Sequence, residues 1–477
     1  MLIYCREKDK ISTLNEYFPF PLESNHTLLT TRHGGWLILS NKEYGIFKLD
    51  KLNQNSELFK NLEEAGIVLT KKNVEKIVQN LRTENSFLFA PTYYHVIAIT
   101  NKCNFNCIYC HPEARSEGDE MNEDTAEKVL NFIFSIPMVG GCQIVLEGGE
   151  PLLRWDLIKF LYREAKRRAK ERDLKLRFSF TTNLSLMTDK MAKELMEMGI
   201  NPCVSLDGPQ ELHDKQRPYI GGEGSYQKVS YWIKRLKENN KIKINAIPVI
   251  TNISLKYGPE VIIDEYLKIG QDLVFLKPFR ASGRALAHFK ELEMQPKDFY
   301  KFWEKGIEYC IGLNKKGVKI RELNAQYFIT NILSPRRSSM CHRRPCGAGI
   351  SILSYTPDGT INGCDATRGQ GFLDLGHVNA DDYQTVRGRA LPLLALAPDL
   401  MPICSSCPFM AYCGICLADI AGRENDIYPK IPRSFSCKWQ KMAFEYLFRK
   451  FLENKEDAQI LRSWISSPPD SCRKCKT

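Results

Sequence analysis

Long apolar runs are missing from this 477-residue sequence. Stretches such as Leu391–Leu396 are its longest, far below the roughly 20 residues a helix needs to cross a bilayer, so no membrane partner is expected. The apolar segment of a secretory signal is missing too, because Met1-Leu-Ile-Tyr-Cys-Arg-Glu-Lys turns charged at once. Together these absences predict a cytoplasmic protein. A reducing compartment in turn argues against a disulfide framework for the 17 cysteines, leaving metal ligation or burial as thiols. Composition is otherwise that of an ordinary soluble protein, and the length suits two or three domains.

The cysteines are bunched rather than scattered: 341, 346 and 364, then 404, 407, 413, 416 and 437, then 472 and 475. The net charge of +11 invites a nucleic-acid reading. Most basic residues, however, lie on helical stretches such as Lys159–Arg172, interleaved with acids. A solvated helix face and no nucleic-acid partner are therefore expected, with attraction of an acidic peptide segment as a secondary role.

Residues 1–90 read as a small α+β module. Leu28–Thr31 and Gly35–Leu39 have strand character, Ser40-Asn-Lys-Glu43 is a capping box, and Ser56–Ala65 and Lys72–Arg82 are helical. Such a winged-helix-like module suits a peptide held at a sheet edge, and equally a plain cap. From residue 94 apolar strands alternate with amphipathic helices. The strands are Tyr94–Thr100, Cys142–Glu147, Leu176–Thr182, Pro202–Leu206, Lys243–Ile250 and Asp272–Pro278. The helices are Asn122–Ile136, Trp155–Glu171, Thr188–Met198, Ser225–Asn239, Gly258–Ile269 and Pro296–Leu313. Six β-α units predict a parallel sheet, open or a partial barrel, with its chemistry at the C-terminal strand ends. Polar or glycine-rich groups follow strand after strand on that side: Cys103 to Cys110, Gly148-Gly149-Glu150, Asn183, Ser205 to Gly208, Asn245 and Pro248, and Lys277 with Arg280.

Three thiolates in CxxxCxxC spacing, Cys103, Cys107 and Cys110, can hold three irons of a cubic cluster and leave the fourth open. With His111 as a fourth ligand the same segment can hold zinc. Placed after the first strand of a β-α repeat, with Tyr109 before the third cysteine, the motif resembles the radical S-adenosylmethionine (SAM) superfamily. Gly148-Gly149-Glu150, about forty residues on, resembles that family's glycine-rich motif. The resemblance implies a [4Fe–4S] cluster chelated by SAM, and a 5′-deoxyadenosyl radical that takes a hydrogen atom from substrate. The glycine pair would let backbone approach the ligand closely, and Glu150 would accept from the methionine ammonium. Ser205 and Asp207 would serve the ribose or carboxylate end, and Arg217 would pair with the carboxylate. Asn183 completes the expected cofactor-binding set. Asp207 can equally cap its loop.

Read locally, Cys404-x2-Cys407-x5-Cys413-x2-Cys416 suggests a zinc ribbon. With Cys341, Cys346, Cys364 and Cys437 there are eight cysteines, enough for two four-thiolate clusters. The pattern resembles the twin-cluster SPASM extension of radical SAM enzymes, although the last spacing of the run is two residues where the family commonly has three. The resemblance implies one auxiliary [4Fe–4S] cluster on Cys341, Cys346, Cys364 and Cys416, and another on Cys404, Cys407, Cys413 and Cys437. If Cys341 is not a ligand, substrate could coordinate the first cluster there. Asp365 stands where some relatives carry a carboxylate that deprotonates substrate; a turn-capping role is the alternative. Cys5, Cys142, Cys203 and Cys310 are expected to be buried, and Cys472 and Cys475 to lie in a flexible tail.

The expected architecture is thus α/β: a partial (β/α)6 TIM-type barrel, residues 91–335, between the small module and a C-terminal iron–sulfur (SPASM) domain, 336–440, with a helix and tail at 441–477. This order resembles radical enzymes that modify ribosomally made peptides or protein side chains. Leu28–Ser40, Ser205–Asp214 and Cys346–Ile350 resemble the maturase of His-Xaa-Ser peptide systems. The resemblance implies a cross-link, thioether or epimerised residue, with a flavodoxin or ferredoxin as electron donor. A sulfatase-type formylglycine maturase and a non-enzymatic zinc-stabilised binder are the two rivals.

Overall fold

The computed structural model describes residues 12–465 apart from 24, 50, 51, 113, 239–241, 335–339, 369, 370, 372, 398, 399, 402 and 429. Cys5, Cys472 and Cys475 lie outside the described residues. The chain opens with strands β1 (Ser12–Leu14), β2 (Tyr17–Glu23), β3 (His26–Thr31), β4 (Trp36–Ser40) and β5 (Val68–Thr70), and with helices Asn41–Lys48, Glu57–Glu64 and Val74–Asn85. The capping box forms as the sequence suggests, with Ser40 accepting from Glu43 N and Glu43 from Ser40 N. Strands β2, β3 and β4 make one antiparallel sheet, and β1 pairs with β5. Strand β2 was not foreseen, because Tyr17-Phe-Pro-Phe-Pro-Leu-Glu23 carries two prolines; it is an edge strand, where missing N–H groups are tolerated.

Alternation along β3 joins this module to the rest. Leu29 enters a small local core with Leu39, Phe47, Leu62, Ile67 and Val68, while Leu28 enters the main core. Trp36 donates from Nε1 to Ile332 O at 3.2 Å and stacks on Phe451. Thr30 Oγ1 donates to Pro408 O at 2.7 Å.

The core strands are β6 (Tyr94–Thr100), β7 (Gly141–Gly148), β8 (Lys175–Thr182), β9 (Cys203–Ser205), β10 (Asn245–Ile247), β11 (Val249–Ile250), β12 (Leu273–Val274), β13 (Lys277–Pro278) and β14 (Arg321–Glu322). Strands β6 to β10 pair in parallel in sequence order, and β11 with β13 and β12 with β14 continue parallel. The wall is a partial barrel, with helices between successive strands except where β10 runs into β11 and β12 into β13. Val96 to Ile99 are essentially solvent-free, the continuous burial of a parallel sheet covered on both faces.

Two of the six expected strands are interrupted. Lys243–Ile250 breaks at Pro248, which has no N–H to donate. Asp272–Pro278 breaks at residues 275–276, where Leu276 N donates to the Glu322 carboxylate at 3.0 Å. The helix Trp155–Glu171 carries the basic face as ion pairs: Arg167 with Glu164 and Glu171, and Arg168 with Glu127. Among the described residues, no helix is long and apolar enough to cross a membrane.

Beyond the barrel, β15 (Ile352–Tyr355), β16 (Thr360–Asn362) and β17 (Asp374–His377) extend the main sheet to eight strands. Strand β15 lies parallel to β6, with Ser354 opposite Val96. The connection of β15 to β16 is a Pro357-Asp358-Gly359 turn, with Gly359 at φ +99°. The helix Phe435–Glu453 packs along Pro296–Lys315, where Phe299 and Trp303 meet Trp439.

Candidate active site

One cavity lies at the C-terminal ends of β6 to β9 and β13, where parallel-sheet enzymes collect their chemistry. Cys103, Cys107 and Cys110 line it, with Gly148, Gly149, Asn183 and Ser205 at the strand ends. Arg217, Lys277, Arg280, Asp365 and Arg368 line it too. Burial pushes the Cys107 thiol up to about 12, with Arg217 and Arg284 opposing. Phe105 N points at Cys103 Sγ from 3.4 Å.

The glycine pair, which lines the cavity, also has a packing job. A Cβ on Gly148 would stand 2.1 Å from Thr100 O, and one on Gly149 2.0 Å from Lys102 O. Gly149 N donates to Thr100 O at 2.7 Å, and Glu150 N to Lys102 O at 2.8 Å. The glycines therefore let the end of β7 lie directly against the backbone entering the cysteine loop. Glu150 is fully buried behind them. Its carboxylate accepts from Thr182 Oγ1 (2.6 Å), Asn183 N (2.7 Å) and Leu152 N (2.9 Å), and burial raises it to about 7 despite those bonds. In this arrangement Glu150 ties β7 to β8. Asn183 bonds onward from Nδ2 to Asn104 Oδ1 at 2.9 Å, inside the cysteine loop.

Asp207 is likewise behind the wall. It accepts from the Tyr109 hydroxyl, from Gln216 Nε2 at 2.8 Å and from Val249 N at 3.0 Å, and it pairs with Arg217 Nε at 3.0 Å. Arg217 also lies 5.1 Å from the Tyr109 ring centre. Asp207 thus orients Tyr109 and Arg217, both of which line the cavity.

Asp365 pairs with Arg280 at 3.2 Å. Burial would raise its carboxyl, but Arg280, His111, Lys277 and Arg368 together hold it well below the usual range. Glu147, which lines the same cavity, shifts the other way, raised by burial and then by Asp365. It accepts from Thr181 Oγ1 at 3.3 Å and faces Arg368 at 3.5 Å. Two carboxylates in one cavity with opposite shifts are the usual material for proton transfer. Arg368 gave no local signal in the sequence, and Glu147 was passed over as a strand residue.

The later cysteines gather in two groups. Cys404, Cys407, Cys413 and Cys437 surround an apolar hollow with Phe409 and Phe444. Cys346 and Cys364 act electrostatically on each other and with Cys416, while Cys341 acts on Cys346 and Cys416. Cys413 instead responds to Cys437, Cys407 and Cys404. Among the described residues, no three His, Cys, Asp or Glu side chains converge as ligands of a single ion would. Thiols set around open volume, as in the triplet and around Phe409, are the donor arrangement a polynuclear cluster needs. Cys142 and Cys310 are buried, and Cys203 is half-buried.

Residues 97–262 match the Radical SAM superfamily. The "Probable GTP 3′,8-cyclase" of Archaeoglobus fulgidus is 34% identical over 238 residues, 49% of this chain and 72% of that protein. The chain belongs to the radical SAM superfamily. Among its radical SAM relatives is the cysteine-type anaerobic sulfatase-maturating enzyme of Clostridium perfringens, 24% identical over 376 residues, 73% of this chain and 94% of that protein. The solved structure of native anSMEcpe with bound AdoMet and Cp18Cys peptide superposes with a TM-score of 0.66 at 19% identity, covering 78% of this chain and 99% of that one. The radical SAM family binds a [4Fe–4S] cluster and S-adenosylmethionine. Here the thiol triplet beside a cavity supplies the donors such a cluster takes.

Proposed function

We propose that this protein is a radical SAM enzyme that modifies a side chain of a ribosomally made peptide or protein. The observation that carries the reading is one cavity lined both by the cysteine triplet and by Asp365, next to Cys364. A substrate held there shares the cavity with the radical source and with a carboxylate beside the second cysteine group. The peptide bound to anSMEcpe supports a peptide as the substrate class.

A cluster on Cys103, Cys107 and Cys110, when bound, supplies the electron that cleaves SAM to a 5′-deoxyadenosyl radical. The chain's own residues do the rest. Arg217, seated by Asp207, presents a cation for a carboxylate, and Ser205 and Asn183 present polar groups at the strand ends. Val204, Ile247 and Phe279 keep the walls apolar, which strengthens electrostatic contacts inside. Glu147 and Asp365 are the proton acceptors, Glu147 the more basic and Asp365 restrained by Arg280. Auxiliary clusters are assigned to Cys341, Cys346, Cys364 and Cys416 and to Cys404, Cys407, Cys413 and Cys437, and the electron donor to a flavodoxin or ferredoxin.

The sulfatase-maturating relative favours formylglycine formation as the second reading. The products separate the two: a new aldehyde, formed from Ser by loss of two hydrogens or from Cys by loss of two hydrogens and hydrolytic exchange of sulfur (released as hydrogen sulfide) for oxygen, against a cross-linked or epimerised peptide with no new aldehyde. The primary test is SAM cleavage to 5′-deoxyadenosine by anaerobically purified protein under reductant. Replacing Cys103, Cys107 and Cys110 with Ala should abolish it and leave auxiliary iron in place. Cleavage that persists in that triple variant refutes the reading.

A further inference from the structure

The segment 279–284, just after β13, is gripped from two sides. On one side lies the helix Leu417–Glu424, which begins directly after Cys416. A Cβ on Gly422 would stand 1.7 Å from Ala281 O, so helix and segment touch backbone to backbone. Arg423 reinforces the contact, donating to Phe279 O at 3.4 Å with its guanidinium 5.1 Å from that ring. On the other side lies the cysteine loop. Gly283 has φ +56°, and a Cβ there would stand 2.3 Å from His111 O and 2.8 Å from Cys110 O. Only glycine admits that approach.

Arg284 uses the closeness. Its backbone N donates to Cys110 O at 3.0 Å. Its Nη1 donates to Cys107 O at 3.0 Å, and its Nη2 to Ala114 O. One residue thus takes three carbonyls of a single loop, two of them belonging to triplet cysteines. A planar guanidinium can hold two acceptors at fixed separation, which an ammonium cannot. With Arg217, Arg284 is also one of the two cations acting on Cys107.

We propose that Arg284 is the positioning residue of the triplet: seated by Gly283 and braced against the C-terminal cysteine region through Gly422, it sets the separation of Cys107 and Cys110 and raises the reduction potential of the cluster they hold. A fixed cation favours the more negative, reduced state, and charge and hydrogen bonding around the ligands are what tune such potentials. The inference rests on the assignment of a cluster to Cys103, Cys107 and Cys110.

The test uses the full chain, anaerobically reconstituted with iron and sulfide, as wild type, Arg284→Met, Arg284→Lys, Gly283→Ala and the Cys103/Cys107/Cys110→Ala triple variant. Iron per chain, the SAM-responsive electron paramagnetic resonance signal of the reduced cluster and its midpoint potential are read. Arg284→Met should lose most of the SAM-responsive signal, with a more negative potential in what remains, and keep the iron of the triple variant. Arg284→Lys should hold the potential nearer wild type at reduced occupancy. Gly283→Ala should lose the signal although Arg284 is still present. Wild-type signal, iron and potential in both Arg284→Met and Gly283→Ala overturn the proposal, as does loss of auxiliary iron from both. If the wild type itself carries no more iron than the triple variant, the cluster assignment fails first and this inference with it.

Discussion

Gly149→Ala tests whether the glycine pair serves packing or ligand access. The new Cβ would stand 2.0 Å from Lys102 O and 2.5 Å from Lys102 C, where ordinary contact begins at 3.4 Å. Both obstacles are backbone, so the end of β7 and the cysteine loop must part by about 1.4 Å. That movement stretches the 2.8 Å bond from Glu150 N to Lys102 O past bonding range, and strains the 2.7 Å bond from Gly149 N to Thr100 O. Two weakened buried bonds and local overpacking cost about 4 kcal/mol, and the lower unfolded-state entropy of Ala returns under about 1 kcal/mol. The expected loss is about 3 kcal/mol in urea unfolding, with less iron held by the adjacent triplet. Gly312→Ala is the control, since a Cβ there meets nothing within 4 Å in the last turn of a helix; it should be neutral or slightly stabilising. If Gly149→Ala unfolds within about 0.5 kcal/mol of wild type and binds its full iron, the packing explanation is wrong.

Asp365→Asn should still yield 5′-deoxyadenosine yet fail to convert peptide; unchanged turnover, read by mass spectrometry, removes its assigned role. Arg217→Met leaves fully buried Asp207 without its cation and should destabilise the fold by about 3 kcal/mol while weakening SAM binding. Adding Asp207→Asn should recover stability without recovering binding, and recovery of both would place Arg217 outside the cofactor site. Glu322, fully buried, accepts from Leu276 N, Ala325 N, Asn324 Nδ2 and Trp303 Nε1 with no cation, and burial raises it from 4.5 to about 7. A carboxyl raised on folding holds more protons in the native state, so its contribution is full at low pH and is lost as pH climbs from 4.5 to about 7. By about 1.4 kcal/mol per unit that loss is at most about 3.5 kcal/mol; thermal unfolding of Glu322→Gln should show a shallower slope in that window, and an unchanged slope counts against it.

The six strands and their helices were legible because buried parallel strands are unbroken apolar runs and the covering helices are amphipathic. Trp155–Glu171 falls where its periodicity puts it. The triplet was legible because its ligands are neighbours in sequence. What was hidden depends on partners far along the chain. The break in Asp272–Pro278 comes from Glu322, and nothing local announces it. Glu150 and Asp207 stand in local motifs, but the partners that hold them, Thr182, Asn183, Tyr109 and Arg217, are not predictable from those motifs. Arg284, more than 170 positions from the carbonyls it holds, has no pattern around it at all. Strand β15 does carry a local signature, an apolar run before Asp358-Gly359, although its place beside β6 depends on residues far back in the chain.

The pairing of β15 with β6 has a consequence for the order of events in the cell. The strand that delivers the cysteine triplet is finished early in synthesis, but its second edge is closed by residues about 250 positions later. At about 5–20 residues per second the ribosome takes tens of seconds to supply them. Through that interval Tyr94–Thr100 has an open edge, the kind that recruits foreign strands. Iron delivered to a nascent chain would meet a loop whose base is half built, so metal loading belongs after translation has passed Tyr355. A chain stopped short of Ile352 should accumulate as aggregate rather than as a smaller functional barrel.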